Sequence, residues 1–411
     1  MLNVQMECQV QSKMQLITIE EEKESKIPRA DIDENLIVSL YRHHKERIDI
    51  AFPTLLNDYC YVLRSKGCVG QIPISDDTTL RIIPKVPISN IFGMLEYAYD
   101  LKSFQFLEGI TDVESLADLF ENLVSILAKR VLDRVRKGLY RSYLREEASL
   151  DFQRGKILVM PSLRASLRGS PRLECEYEEH TADLIDNRIL VWTLNQLPRY
   201  GLKRDDVRQQ VRQAYHALAG AVRVDRVEPR DCIRRFYNRL NDDYKPMHGL
   251  CRFFLEHCGP ALEVGEGHFI PFVLNMPSLF ESFVAEWLKA HSPEGLYITP
   301  QYQANLDEIG KFFFRIDLVL RDMITDRVLA VMDTKYKRDQ KPVEEDIKDI
   351  VAYAVRMRTN SGILIYPSTD TQSIYLKVGE VNVRSITFDI SQPPDNGGYS
   401  FLEKLKISLA Y

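Results

Sequence analysis

Residues 312–337 read FFFRIDLVLRDMITDRVLAVMDTKYK. Two apolar runs, 312–320 and 328–332, flank a polar segment from Arg321 to Arg327 that holds Asp322, Thr325 and Asp326. Runs of this kind suit buried strands, and the segment between them suits a hairpin connection. The first strand carries Asp317, the second Asp333, and Lys335 follows two residues later. Strand side chains alternate faces, so Asp333 and Lys335 project to one side. Folding about position 325 sets Asp317 opposite Asp333, with the two carboxylates roughly 5 Å apart. Like charges that close weaken a sheet unless a cation lies between them. A divalent metal with an ammonium beside it accounts for the pattern. The competing reading is that both aspartates cap strand ends or pair with Arg315, Lys335 and Lys337.

An acid two residues before a lysine is common. Glu21, Glu24 and Asp346 also supply one, in charged segments expected to be solvated. Asp333 differs because the residues before it are apolar. The flanking chain adds context. Residues 276–291, MPSLFESFVAEWLKAH, form an amphipathic pattern carrying Glu281. Residues 342–358 space Ile347, Ile350, Val351, Ala354 and Met357 for one helical face, and 362–367 (GILIYP) read as another buried strand. The expected order is therefore helix, hairpin, helix, strand.

That order and the residues Asp317, Asp333 and Lys335 resemble the PD-(D/E)XK nucleases. The leading proline of their motif is absent, and Arg315-Ile316 precede Asp317. The resemblance implies Mg²⁺, with Mn²⁺ as a substitute, held by Asp317 and Asp333 with the Thr334 carbonyl as a further ligand. Hard carboxylate oxygens suit such a cation. It also implies roles for Lys335 in orienting water or steadying charge, for Glu281 from the first helix, and for Tyr353 from the later one. The glutamine that accompanies that tyrosine in one branch is replaced by Asp349.

Residues 80–101 (LRIIPKVPISNIFGMLEYAYDL), 152–164 (FQRGKILVMPSLR), 175–197 (CEYEEHTADLIDNRILVWTLNQL) and 279–283 (LFESF), together with the hairpin, resemble the landmarks of the McrC family in order along the chain. This family supplies the nuclease subunit of McrBC modification-dependent restriction systems. The resemblance implies a hexameric McrB-like AAA+ GTPase ring as partner, stimulation of its GTPase, and cleavage of double-stranded DNA containing modified cytosine. Two other readings stay open: a nuclease-inactive activator or adaptor of an AAA+ ring, and a solitary PD-(D/E)XK nuclease.

Charge fits dependence on a partner. The 411 residues carry a formal net charge of −5, whereas a stand-alone non-specific DNA binder is usually basic. The cluster of cations between Lys203 and Arg239 reads first as the solvated side of amphipathic helices. No GxxxxGK[ST] occurs, so the GTPase is expected to be another polypeptide. Seven scattered cysteines without a C-x-x-C pair suit reduced thiols. The absence of a signal-like start and of any long apolar run points to a cytoplasmic protein without membrane contact. Arg154-Gly155-Lys156 reads as a turn, and Pro84 as the end of a strand.

The fold class expected is a multidomain α+β or α/β protein. A β-rich partner-binding domain occupies 1–110, a mainly helical region 111–265, and a PD-(D/E)XK endonuclease domain 266–411.

Overall fold

In a computed structural model the described residues are 15–75, 77–101, 115–257, 272–337, 342–367 and 373–409. The chain forms two compact units, one of residues 1–120 with 257–411 and the other of residues 121–256. This differs from the three parts expected. The amino-terminal strands share a unit with the carboxy-terminal third, and the boundary expected at Gly265–Gly267 lies outside the described residues.

The first unit begins with β1 (Gln15–Glu20), β2 (Ser25–Pro28), β3 (Ile48–Ala51), β4 (Cys60–Ser65), β5 (Cys68–Pro73) and β6 (Thr78–Ile83). Helix α1 (Glu34–His44) lies between β2 and β3, and α2 (Ile88–Ala98) follows β6. Asp33 starts α1 by accepting a 2.7 Å bond from the Asn35 N–H. Pro84 follows directly on β6, as a strand-ending residue should. Strands β2, β4 and β3 form a three-stranded antiparallel sheet.

Helix α3 (Leu116–Lys137) leads into the second unit. That unit is mainly helical, as expected, but it also holds a small sheet that the sequence reading did not anticipate. It contains β7 (Ser142–Leu150), β8 (Lys156–Ile157) and β9 (Leu173–Thr181) in an antiparallel sheet of order β7-β9-β8. Both long strands are rich in charge and only partly covered on either face, so no buried alternation marks them. Helices α4 (Val159–Leu167), α5 (Ile185–Gln196), α6 (Asp205–Ala219) and α7 (Tyr244–His257) complete it. Gly155 has φ +68, and a Cβ there would meet the Glu176 carbonyl, which explains glycine in the turn before β8. The arginines between 203 and 239 are largely answered by neighbouring acids: Arg204 pairs with Asp206, Arg223 with Asp183, Arg230 with Glu228 and Arg235 with Asp186.

Back in the first unit, β10 (Phe272–Asn275) pairs antiparallel with β5 and completes a sheet of order β1-β6-β5-β10. Helix α8 (Met276–His291) starts at Asn275, whose side chain accepts from the Ser278 N–H at 3.0 Å. The second sheet contains β11 (Leu296–Asn305), β12 (Phe313–Asp322), β13 (Val328–Thr334), β14 (Ser361–Tyr366), β15 (Tyr375–Val378) and β16 (Val381–Thr387), in the order β11-β12-β13-β14-β16-β15. The pairs β11–β12, β12–β13 and β15–β16 are antiparallel, whereas β13–β14 and β14–β16 are parallel. Helix α9 (Glu344–Arg356) spans the β13–β14 connection, and α10 (Pro394–Leu409) ends the fold.

The core joins both ends of the chain. Trp287 of α8 is fully buried, with Phe388 at 5.2 Å and Phe401 at 6.3 Å between ring centres. Tyr97 of α2 meets Phe283 of α8 at 5.7 Å, and the Asn90 amide donates to the Ile390 carbonyl at 3.0 Å. Side chains of this size contribute roughly 1.5–3 kcal/mol each when buried. The pairing of α2 with α8 therefore fixes the base on which the second sheet stands.

Candidate metal centre

The hairpin forms with the expected pivot. Leu318 faces Met332, Val319 faces Val331 and Leu320 faces Ala330. One step further along this register sets Asp317 against Asp333. A bulge between Leu320 and Arg321 then shortens the approach to the turn. Asp322 closes that turn, because its Oδ1 accepts from the Ile324 N–H, the Thr325 N–H and the Thr325 hydroxyl at 3.0, 2.7 and 2.8 Å.

Asp317 is half-buried and held from across the hairpin. The Thr334 N–H and hydroxyl both donate to its Oδ2 at 2.8 Å. Both bonds fall on one oxygen, which orients the carboxylate and leaves the other oxygen for a ligand. Asp333 is 4% exposed. Lys335 Nζ lies 2.6 Å from its Oδ2, an ion-pair distance, but the two are not aligned as a hydrogen bond, and that buried oxygen has no hydrogen-bond partner. Burial, and then the Asp317 charge, push the Asp333 carboxyl up to about 7 against the opposing pull of Lys335. For Lys335, burial acts downward, but Asp333, Asp346 and Asp317 together outweigh it and hold the ammonium above its ordinary value.

Glu281 and Tyr353 face the same centre. The Glu281 carboxyl is raised by burial and then by Asp317, and its Oε1 accepts from the Gln301 amide at 3.1 Å. Gln301 sits opposite Asp317 in the β11–β12 register, with φ +46. Its own oxygen accepts from Arg315 at 2.8 Å. The Tyr353 phenol is raised by burial and then by Asp333 and Asp349, and its ring lies 5.2 Å from that of Phe314. The structure thus brings Asp317, Asp333, Thr334, Lys335, Glu281 and Tyr353 to one end of the β12–β13 hairpin.

Sequence reasoning missed part of this centre. Asp346 and Glu21 were expected in solvated segments. Asp346 is instead 2% and Glu21 3% exposed, and only Glu24 of the three lies open. Asp346 takes both of its close bonds from Lys337 Nζ, at 2.7 and 2.9 Å, and stands 3.7 Å from Lys335 Nζ. Glu21 Oε2 accepts from the Lys85 N–H at 3.0 Å, and Lys85 Nζ lies 4.1 Å above the ring of Tyr336, the neighbour of Lys335. The acid-x-lysine spacing was visible at both positions; burial across distant chain was not.

The donor chemistry fits a hard divalent cation. Asp317 and Asp333 repel one another inside the fold, and the Asp317 charge also disfavours ionised Glu281. Among the described residues no three His, Cys, Asp or Glu side chains close around one point. Two acids would therefore leave much of the coordination sphere to water, as Mg²⁺ prefers. Among the described residues zinc has no comparable set: Cys251 is fully buried, its thiol pushed up to about 12 by burial, and His257 meets the Tyr99 hydroxyl at 2.7 Å.

The architecture defines a mixed α+β protein with a carboxylate centre on the hairpin of a six-stranded sheet. A family described as "McrBC 5-methylcytosine restriction system component" matches residues 63–367, well over half of the sequence. The chain belongs to that McrBC family. Its fold is similar, over 95% of this chain and 100% of the other, to a chain in a solved half-complex from a tetradecameric assembly of Thermococcus gammatolerans McrB AAA+ hexamers with bound McrC, at a TM-score of 0.54 and 19% identity. A second similar chain, from the Thermococcus gammatolerans McrBC complex solved by cryo-EM, has a TM-score of 0.43 and 22% identity, with 66% of this chain and 87% of that one covered. No curated protein matches the sequence. No helix among the described residues is long and apolar enough to cross a membrane.

Proposed function

We propose that this chain is the Mg²⁺-dependent endonuclease subunit of a GTP-driven, modified-cytosine-directed restriction complex. The observation that carries the proposal is the facing pair of half-buried Asp317 and buried Asp333, with Lys335 beside them. The order α8, β11–β12–β13, α9, β14 supports a PD-(D/E)XK core, with one strand more than the hairpin alone required. Mg²⁺ bound here would polarise the scissile phosphate and acidify an attacking water. Asp317 and Asp333 would hold the ion, with the Thr334 carbonyl as a further ligand and Mn²⁺ as a substitute. Thr334 keeps Asp317 aimed by its two donated bonds. Lys335 remains protonated and presents a compact ammonium to the phosphate or the attacking water. Glu281 lies close enough to feel Asp317, and Tyr353 close enough to feel Asp333, so both border the substrate.

The partner is proposed from the relatives. The similar solved assembly contains McrB AAA+ hexamers with bound McrC, and a hexameric McrB-like GTPase is the counterpart proposed for this chain. The sequence reading put partner contact in the amino-terminal domain, 1–110; we propose that the unit of residues 121–256 carries a share of it. Within this unit, Phe152, Val159, Met160 and Leu167 are 65, 70, 57 and 81% exposed, and no residue of α4 is buried. A run of large exposed side chains of this kind marks a protein contact. The described cysteines are free, which suits the reducing cytoplasm.

The test uses the full chain, its AAA+ partner, GTP, Mg²⁺ and methylated plasmid. Asp317→Ala should abolish cleavage while GTPase stimulation persists, and Leu163→Asp with Leu167→Asp should remove stimulation and cleavage together. Stimulation without cleavage by the wild type under any divalent metal would favour the activator reading. Salt-resistant cutting of unmodified DNA by the chain alone would favour a solitary nuclease.

A further inference from the structure

Asp346 stands apart from the hairpin at the start of α9, yet it is among the most buried acids in the chain at 2% exposure. Its Oδ1 lies 2.7 Å from Lys337 Nζ and 3.7 Å from Lys335 Nζ. Its Oδ2 accepts from Lys337 at 2.9 Å, from the Tyr366 hydroxyl at 3.3 Å and from the Val343 N–H at 3.4 Å. A carboxylate bound on both oxygens by groups from three elements cannot swing. Lys335, by contrast, is a long flexible side chain whose nearest partner is Asp333.

We propose that Asp346 is a positioning residue for Lys335, holding its ammonium beside the site when the Asp333 carboxylate turns to a cation, and that Lys337 limits the strength of that hold. The inference rests on the nuclease reading above. In the structure Lys335 is shared, 2.6 Å from Asp333 and 3.7 Å from Asp346. A cation on Asp333 would compete directly with the ammonium for the same oxygens. Without a second acid the lysine would then be repelled outward on its four-carbon stem. Asp346 supplies the second acid at a point fixed by Lys337, Val343 and Tyr366, and the Lys335 N–H donates to the Ile365 carbonyl at 2.8 Å, so the backbone that carries the ammonium is fixed as well. An unpaired Asp346 would draw Lys335 fully away from Asp333. Lys337 prevents this by taking the two shortest bonds. The arrangement sets one ammonium between two carboxylates, with another ammonium to balance the farther one.

The alternative is that Asp346 only caps α9 and anchors Lys337. Asp346→Asn separates the two, since its amide oxygen can still accept from Val343 and its volume is unchanged. In the full complex, Asp346→Asn should lower kcat for cleavage about tenfold with KM for DNA unchanged, the pattern of an interaction made at the reacting centre. Lys337→Met should lower kcat in the wild-type background but not further in the Asp346→Asn background, because Lys337 acts only through Asp346. A second readout needs no cleavage. With Mg²⁺ and no DNA, the ¹⁵N-ammonium resonance of Lys335, assigned by its loss in Lys335→Ala, should be sharp in the wild type and broadened by Asp346→Asn. Wild-type kcat and an unchanged Lys335 resonance in a folded Asp346→Asn protein would overturn the positioning role, as would equal effects of Lys337→Met in both backgrounds. Asp317→Ala run alongside reports on the reading beneath it. If Asp317→Ala cleaves like the wild type, the metal site falls, and this inference with it. If Asp317→Ala is dead and Asp346→Asn is fully active, only the inference falls.

Discussion

Replacing Asp333 with asparagine should make the metal-free protein more stable while destroying its activity. Asp333 is 4% exposed and its carboxyl is pushed up to about 7 from 3.8, first by burial and then by Asp317. A carboxyl with a higher value folded than unfolded binds its proton more tightly in the folded chain. Its contribution to stability is complete below about 3.8 and is lost as pH rises through about 7. At about 1.4 kcal/mol for each tenfold change, ionised Asp333 forfeits roughly 4 kcal/mol at pH 8. Asparagine removes that charge but buries an amide with incomplete hydrogen bonding, at a cost of about 1–3 kcal/mol. The net gain is about 1–3 kcal/mol, or several degrees in Tm. Thermal melts in EDTA should place Asp333→Asn above the wild type at pH 8, with the gap closing toward pH 4. Mg²⁺ should raise the wild-type Tm and leave the variant unmoved, since only a bound ligand stabilises. A variant that melts below the wild type at pH 8 in EDTA would refute the repulsion argument.

Gly398→Ala should destabilise the first unit by about 1–3 kcal/mol, because the added Cβ would overlap the Trp287 indole, which is fully buried; thermal unfolding measures it, and a neutral result would mean α10 can shift. His44 is buried, and burial lowers its imidazole to about 4 from 6.5. The neutral ring's contribution is therefore present above about 6.5 and lost as pH falls toward 4. His44→Gln should flatten the fall in urea midpoint between pH 7 and pH 5, and an unchanged slope would show that His44 does not govern it.

The hairpin was legible because its signals are local. A polar turn between two apolar runs, each with one aspartate, specifies one register, and Leu318 facing Met332 is the result. Residues 276–291 gave a helix by the same kind of evidence, since its buried stripe repeats within itself. The middle sheet was not legible. β7 reads SYLREEASL and β9 LECEYEEHT, so side chains that pair with each other across the strands carry the sheet rather than a hidden apolar face. The sharing of one unit by both chain ends was also invisible, because β10 pairs with β5 across about two hundred residues of sequence. Asp346 and Glu21 were misread because each looks solvated among charged neighbours: Glu21 is met by Lys85, more than sixty residues on, and Asp346 by Lys337 and by Tyr366 of the adjacent strand β14.

Titration of the metal-free full chain with Mn²⁺, followed calorimetrically, tests the central claim most directly. The account predicts a saturable site in the wild type, competed by Mg²⁺, that disappears in Asp317→Ala and in Asp333→Asn while both variants remain folded. Equal Mn²⁺ binding by the wild type and by folded Asp333→Asn would contradict it.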